Sequence, residues 1–573
     1  MGRNDNKIHA DGSAGVAAVS AVKIAYDARA IGAKEAFAPT LSEPLAQVSD
    51  AVDILKQETV TFSAFGNPLE LFSVTVDGKT KPLPDEITNE NVGIKSGSMT
   101  NDSGVFDIPV TLTMTADAFF SAPGITLRFD DTNGVYCNNL QIMWYRDDTL
   151  LDTQEFAPDK TEYFCAHAVE LFNKVIIVFK GLNLPQNRLT LRAIDFGAIL
   201  AFDGTEIKSA AVLQQIDPLG AEIAIDTCDF TISAKRDIDY LFEKSQPLQI
   251  SFDNQLLQTA TAAKITQKGF RQFAIHAEDY IGLLDSTPYE GGIYSDANAV
   301  ELMQDIFAAA HVPYDIADDF AVATVTGYIP YGTCRTALTQ IAFAIGATVS
   351  TAYSDKVRVF ALDATSTQTI PAERIRQGQS FDTEARVTAV SIQSHAYTPS
   401  TETVELFDAS SDGEGNGINI IFDEPVHSLS IANGEIVSST ANNAVINAQA
   451  GCTLHGKKYK HTTTSKTRKN PLVLATDEEN VISIKGATLI NYNNVDTVLD
   501  KCYNYYTTRR KKTTMTIIEG KHESESGIVS DPAVKVGDAI TYATQHSGTL
   551  SGTVLRQSYS LNGGILAKET TLT

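Results

Sequence analysis

The stretch that decides the fold reads Gly327-Tyr328-Ile329-Pro330-Tyr331-Gly332-Thr333-Cys334-Arg335-Thr336-Ala337-Leu338-Thr339-Gln340-Ile341-Ala342-Phe343-Ala344-Ile345-Gly346-Ala347. From about Thr333 the apolar residues recur at helical spacing, and Ala337, Leu338, Ile341 and Ala344 share one inward face. Gly346 ends this helix, because glycine takes up the left-handed terminus without a Cβ clash. Beyond it, 348–352 and 356–361 read as two strands of a hairpin around Tyr353-Ser354-Asp355. Upstream, Ser295 is the expected cap of a helix over 295–310, with Val300, Met303, Ile306 and Phe307 on one face. Residues 291–365 therefore read as a small α/β domain.

Working outward, the pattern becomes β on both sides. Over 205–290 strands are expected at 222–225, 230–233, 248–252, 263–266 and 272–277. Farther back, alternation appears at 59–62, 71–76 and 109–114, with Asp77-Gly78 as a turn signal. Short strands follow at 125–129, 140–145, 163–166, 174–179 and 188–193. They are punctuated by Asp131-Thr132-Asn133-Gly134, Asp147-Asp148, Pro158-Asp159 and Pro185-Gln186-Asn187. This spacing predicts a β-sandwich or jelly roll over 58–203. The Ala-rich residues 1–57 read as an arm or adaptor segment. Downstream, 380–450 is strand-like, and the acidic Gly/Ser segment 408–417 is expected to be a solvated loop. A helix over 494–508 turns Val495, Val498, Leu499, Cys502, Tyr505 and Tyr506 inward, followed by strands at 513–519, 539–543, 552–557 and 565–570.

Composition narrows the function classes. The chain has 573 residues, 43% hydrophobic and 20% charged, which fits several folded domains. Its net charge is −25, and an acidic surface repels nucleic acid and anionic membranes. The charge is uneven: residues 452–521 hold 13 bases and 6 acids, a net of +7, which leaves −32 on the remainder. The cysteines, Cys137, Cys165, Cys228, Cys334, Cys452 and Cys502, are far apart without CxxC spacing. They read as buried free thiols, with a Cys137–Cys165 bridge as the minor alternative. Neither a signal peptide nor an apolar run long enough for a membrane anchor is expected.

No GxSxG, HExxH or GxxxxGK[ST] motif occurs, so the commonest hydrolase and nucleotide sites are missing from the sequence. No metal or cofactor is expected: the histidines are scattered, and His455 and His461 have no metal-site spacing. Asp130-Asp131-Thr132-Asn133-Gly134 reads as a β-turn rather than a calcium loop, because the later bidentate acid is missing. Trp144, Tyr145 and Tyr136 are candidates for stacking on a sugar ring. The plainer reading is that Trp144 and Tyr145 face opposite sides of a strand, so that one of them fills the core. The basic segment supplies a candidate inter-subunit face: Lys457, Lys458, Lys460, Lys466, Arg468, Lys469, Arg509 and Arg510.

The stretch quoted first resembles a segment of tail proteins from phages infecting Gram-positive bacteria, in which a G-Y-I-P loop leads into such a helix and a hairpin. Gly486-Ala487-Thr488-Leu489-Ile490, the helix to Tyr506, and Val536-Gly537-Asp538 with Gly552-Thr553-Val554 resemble the same group. The resemblance spans roughly 205–573. It implies a tail-tip or baseplate hub protein, of a phage or of a phage-derived tail-like particle. The implied fold is β-rich α+β multidomain: the β-sandwich or jelly roll, hub-type β-barrel domains, and the small α/β domain. The expected division is 1–57, 58–203, 204–290 as a hub barrel, 291–365, 366–480 as a β domain with the basic segment, and 481–573 completing the ring.

The resemblance further implies a homotrimer joining the tail tube or distal tail protein to a spike, fibre or receptor-binding protein. A tape measure protein and a host cell-surface glycan are further expected partners. The protein would reside at the tail tip of the virion, assembled in the bacterial cytoplasm. No catalytic residue carries over, so an enzyme is not expected. The competing readings are a glycan- or receptor-binding tail protein acting through 58–203, and a tail-associated cell-wall hydrolase.

Overall fold

A computed structural model describes residues 22–43 except 31, four short strands between 62 and 81, and 94–572 apart from 132, 236–245, 253–254, 364–367, 376–377, 509–510, 518–520, 525–526, 531–533, 545–547 and 563–564. The turn expected at Asp77-Gly78, and most of the 1–57 segment, lie outside the described residues. The chain is a β-rich multidomain α+β protein, as expected. Its described residues divide into two compact units, one within 24–202 and 234–248, the other within 203–233 and 249–573 with 22–23.

The main sheet of the first unit is seven-stranded and antiparallel. Its strands are β1 (Ala38–Leu41), β2 (Ile94–Lys95), β3 (Val105–Phe129), β4 (Cys137–Arg146), β5 (Thr149–Phe156), β6 (Glu162–Leu182) and β7 (Thr190–Asp195). The order is β5-β4-β6-β3-β7-β2, with β1 beside β3. The strands expected at 109–114 and 125–129 are one strand of 25 residues, and those at 163–166 and 174–179 are one of 21. Register shifts in the β3–β6 pairing let these strands bend, so both halves contribute to one core. Leu112 and Met114 from one half pack with Ile125, Leu127 and Phe129 from the other.

The second unit begins with an antiparallel sheet in the order β10 (Gln255–Gly269), β11 (Gln272–Asp279), β9 (Thr227–Ser233), β8 (Ile207–Gln215), β25 (Thr549–Asn562), β26 (Ile565–Leu572), β23 (Lys511–Thr516) and β17 (Ser380–Thr383). β24 (Ala539–Ala543) pairs with β25. No strand forms at 222–225. The Asp217 carboxylate accepts the N–H groups of Leu219, Ala221 and Glu222, so the backbone turns instead of joining the ladder.

The α/β part contains α1 (Tyr280–Ser286), β12 (Gly292–Asn298), α2 (Ala299–Ala309), β13 (Tyr314–Ile316), β14 (Thr324–Ile329), α3 (Cys334–Ile345), β15 (Thr348–Ser350) and β16 (Val357–Phe360). Helix α3 has the expected bounds: Thr333 caps it through the Thr336 N–H, and Gly346 closes it at φ +74°. Ala337, Leu338, Ile341 and Ala344 are all buried. Helix α2 is capped by Asn298, not Ser295. The Asn298 side chain accepts from Val300 and Glu301, while Ser295 remains in β12.

A five-stranded sheet follows, in the order β19 (Gly415–Ile421), β21 (Asn443–Lys469), β18 (Ala389–Asp408) and β22 (Val481–Ile484), with β20 (Val426–Ser439) also on β21. The segment 408–417 is not a plain loop. Asp408 caps one helical turn at Ala409–Asp412, and β19 starts at Gly415. Helix α4 (Val495–Thr507) buries Val495, Val498, Leu499 and Cys502 in the core that also holds Leu338 and Ile341. All six cysteines are buried free thiols, so no Cys137–Cys165 bridge forms.

Candidate functional site

The stretches that carry the family resemblance are distant in sequence and meet in space. Gln340 on α3 reaches a segment 146 residues away, where its Nε2 donates to the Gly486 carbonyl at 3.0 Å. Its Oε1 accepts the Thr488 N–H at 2.9 Å. On β14 the Tyr328 N–H donates to the Thr488 carbonyl at 3.3 Å, and the Thr488 hydroxyl donates back to the Tyr328 carbonyl. Gly327 sits at φ +144°, and a Cβ there would lie 2.5 Å from the Thr488 carbonyl oxygen. Only glycine lets the two backbones come this close. Asn491 Nδ2 donates to the Thr326 carbonyl at 2.8 Å, while Leu489 and Ile490 enter the α3 core. The other resembling pair also meets: the Gly537 N–H donates to Val554, and the Val554 N–H to Asp538, at 2.8 and 2.9 Å.

The basic segment lies on β21. Lys466 and Arg468 are ion-paired with Asp496 and Asp500 of α4, and the Arg468 guanidinium lies 4.2 Å from the Tyr503 ring centroid. Lys458 reaches Glu402 at 3.6 Å and Glu424 at 3.9 Å. These three candidate cations are thus answered by acids of their own chain. Lys457, Lys460 and Lys469 are exposed, without an ion pair among the described residues. Arg509 and Arg510 lie outside the described residues. Past Lys458, where β20 leaves off, β21 is paired only by β18 among the described residues.

His461 opens this flank and stacks on Tyr397, with centroids 4.5 Å apart and planes at 2°. Its Nε2 meets His395 Nδ1 at 3.0 Å, and His395 Nε2 meets the Lys485 carbonyl at 3.0 Å. A carbonyl can only accept, so Nε2 of His395 carries its hydrogen. Nδ1 of the neutral ring then accepts from His461. Burial, with the His461 charge beside it, pushes the His395 pKa down and so disfavours its charged form.

The three aromatic candidates are not gathered on one exposed face. Trp144 is 1% exposed and packs in the core of the first unit, tilted against His167, so no ring face is left for a sugar. Tyr145 points to the other side of β4, under the Lys174 ammonium at 5.2 Å. The Tyr136 ring is half-buried, and its N–H is held by Asn183. At the ends of the 130–134 segment Asp130 and Val135 pair, Asn133 donates to the Asp130 carboxylate, and Arg192 neutralises both Asp130 and Asp131. Among the described residues no three His, Cys, Asp or Glu side chains gather as a metal site. No helix of the described residues is long and apolar enough to cross a membrane.

No protein-family model matches the chain, and no curated protein matches it. Solved structures are similar at low identity. A tail protein from Neisseria meningitidis MC58 is 12% identical with a TM-score of 0.41, covering 65% of this chain and 93% of its own. The 43 kDa tail protein of prophage MuSo2 from Shewanella oneidensis is 8% identical at 0.39, covering 65% and 95%. Prophage tail protein gp18 from Listeria monocytogenes EGD-e is 12% identical at 0.36, covering 65% and 90%. The named organisms are not restricted to Gram-positive bacteria.

Proposed function

We propose that the chain is a structural subunit of a phage tail tip or baseplate, a hub joining the tail tube to the spike, fibre or receptor-binding apparatus, with no catalytic role. The observation that carries this reading is the junction of 327–347 with 486–490. Segments picked out separately by their resemblance to tail proteins are hydrogen-bonded to one another and share one core. Their conspicuous residues, Gly327, Gln340 and Thr488, are spent on holding backbone together, which is the chemistry of a scaffold.

Self-assembly into a trimeric ring is supported by two features. Strand β17 pairs with β23 alone among the described residues, which leaves a sheet edge open. The exposed cations Lys457, Lys460 and Lys469 of β21 offer charge that an acidic face of a neighbouring copy would complement. Native mass spectrometry of the purified chain, with electron microscopy of particles carrying a labelled copy, tests the reading. Trimers that dissociate as salt rises, and a label at the tail tip, are the expected results. A strict monomer that never enters particles refutes it, and clearing of peptidoglycan on a zymogram refutes the non-catalytic part.

A further inference from the structure

Five neighbouring strands place a row of side chains on one buried face of the second unit. Ala260 of β10 is opposite Asp279 of β11, and Gln214 of β8 is opposite Gln557 of β25. Between them Thr227 faces both Glu278 and Leu213, so one step along the ladder Asp226 faces both Asp279 and Gln214. Residues directly opposite project to the same side. The row Ala260–Asp279–Asp226–Gln214–Gln557 therefore crosses the sheet with two carboxylates adjacent. Asp226 and Asp279 are each 1% exposed, and Gln214 and Gln557 are fully buried.

The hairpin segment 348–353 is bonded to this row. The Thr351 hydroxyl donates to Asp279 Oδ2 at 2.6 Å, the Tyr353 hydroxyl to Gln557 Oε1 at 2.6 Å, and the Tyr353 N–H to the Leu257 carbonyl at 2.8 Å. Asp279 Oδ1 caps α1 through the Ile281 N–H, and Asp226 Oδ1 accepts the Gln215 N–H at 2.8 Å. Gln214 Nε2 donates to the Leu257 carbonyl, but its Oε1 is a buried acceptor with no donor among the described residues. Both amide atoms of fully buried Gln258 and the Thr348 hydroxyl are likewise without partners there.

The charged or titratable groups on the packed elements include Cys228 on β9, Tyr280 and Asp285 on α1, Asp355 past the hairpin tip, the Tyr353 and Tyr559 hydroxyls, and Lys535, which lies 5.1 Å from the Tyr353 ring centroid, while Asp229, Lys264, His276 and Glu278 belong to the opposite face of the sheet. No Lys, Arg or His ion-pairs with either carboxylate among the described residues. Two buried, adjacent carboxylates without an ion-pair partner among the described residues cannot both ionise cheaply.

We propose that Asp226 and Asp279 hold a proton that latches the 348–353 hairpin to the sheet, firmly in acid and more loosely as the pH rises toward neutral. The proton sits on Asp226 and is donated to Gln214 Oε1, the acceptor otherwise lacking a donor; on release it passes to solvent. Ionisation leaves like charges side by side and draws in water, and the hairpin is what must yield. Burial pushes both carboxyls up, Asp279 to about 7, against the downward pull of Thr351 and the α1 backbone. An acid whose folded pKa is raised contributes most below its unfolded pKa. That contribution is lost as pH climbs to the folded pKa. This device is independent of what the protein assembles into.

Hydrogen exchange of peptides over 346–356, corrected for intrinsic rates, tests it at pH 5.5 and 7.5. Because burial raises the closed-state pKa of the pair above the open-state value, protection in the wild type falls several-fold from pH 5.5 to pH 7.5. Asp226→Asn supplies an amide N–H for Gln214, keeps the acceptor for Gln215 and removes one of the two charges, so its drop in protection is smaller than in the wild type. Asp279→Asn removes the other charge and also reduces the response, which keeps the test available if one variant fails to fold. Equal wild-type protection at both pH values, or an undiminished drop in the substituted proteins, overturns the proposal.

Discussion

Gly327→Ala tests the junction on which the functional reading stands. The added methyl would meet the Thr488 carbonyl oxygen at 2.5 Å and Leu489 Cα at 3.1 Å, both backbone atoms that cannot swing aside. The φ of +144° adds about 1–3 kcal/mol of strain for any residue with a Cβ. Moving 486–490 away weakens the two Tyr328–Thr488 hydrogen bonds, about 1 kcal/mol each. The total is about 3–5 kcal/mol. Urea unfolding followed by far-UV circular dichroism reads it as a fall of roughly 1 M in the second unit's midpoint, for a slope of about 3 kcal/mol per M or a little more. The only tryptophan, Trp144, is in the core of the first unit, so its fluorescence serves as an internal control and keeps its midpoint. Gly486→Ala is the matched comparison, because a Cβ there meets nothing within 4 Å. If Gly327→Ala shifts the midpoint no more than Gly486→Ala, the two backbones are not held as described.

Trp144→Ala should destabilise the first unit by about 3–5 kcal/mol, seen as lower thermal resistance of that unit, rather than removing a sugar contact from a folded domain. Arg468→Ala should change stability by less than about 1 kcal/mol, since both partners in its Asp500 pair are about half exposed or more; calorimetry checks this. The triple change of Lys457, Lys460 and Lys469 to Glu should leave the melting temperature nearly unchanged while abolishing the oligomer in native mass spectra. For His395, whose pKa is pushed down by burial, the contribution to stability is complete above about 6.5 and is lost as pH falls through the lower folded value. His395→Phe should flatten that acid limb, which thermal melts from pH 7 to 5 measure. Native protein should leave its six thiols unmodified by a thiol reagent, with all six appearing in denaturant.

Local chemistry was legible where one residue settles it. Thr333 and Gly346 bound α3, the inward face of α4 is read from its spacing, and the 348–360 hairpin follows from its turn. Competing side-chain hydrogen bonds hid the rest. Asn298 outcompetes Ser295 as a cap, and Asp217 diverts 219–222 from strand to turn. The long strands of the first unit read as short ones because alternation breaks where β3 and β6 bend. The buried carboxyl row was missed, yet a signal existed. Asp279 continues the inward parity of Phe273, Ile275 and Ala277, and Asp226 that of Cys228, Phe230 and Ile232. Their adjacency is a matter of strand register between distant segments, which no local pattern reveals. On the basic face, spacing located the cations, but the acids of α4 that answer two of them arrive only through the fold.

The β3–β6 pairing runs from Arg128 opposite Glu162 to Val105 opposite Gly181. Both halves of the first unit are therefore threaded on the same two covalent strands. Tension applied along them loads many cross-strand bonds in shear at once, instead of opening them one after another as in a zipper. A unit built this way resists being pulled apart at the fold in its middle, because no hydrogen-bonded seam there stands alone between the two halves.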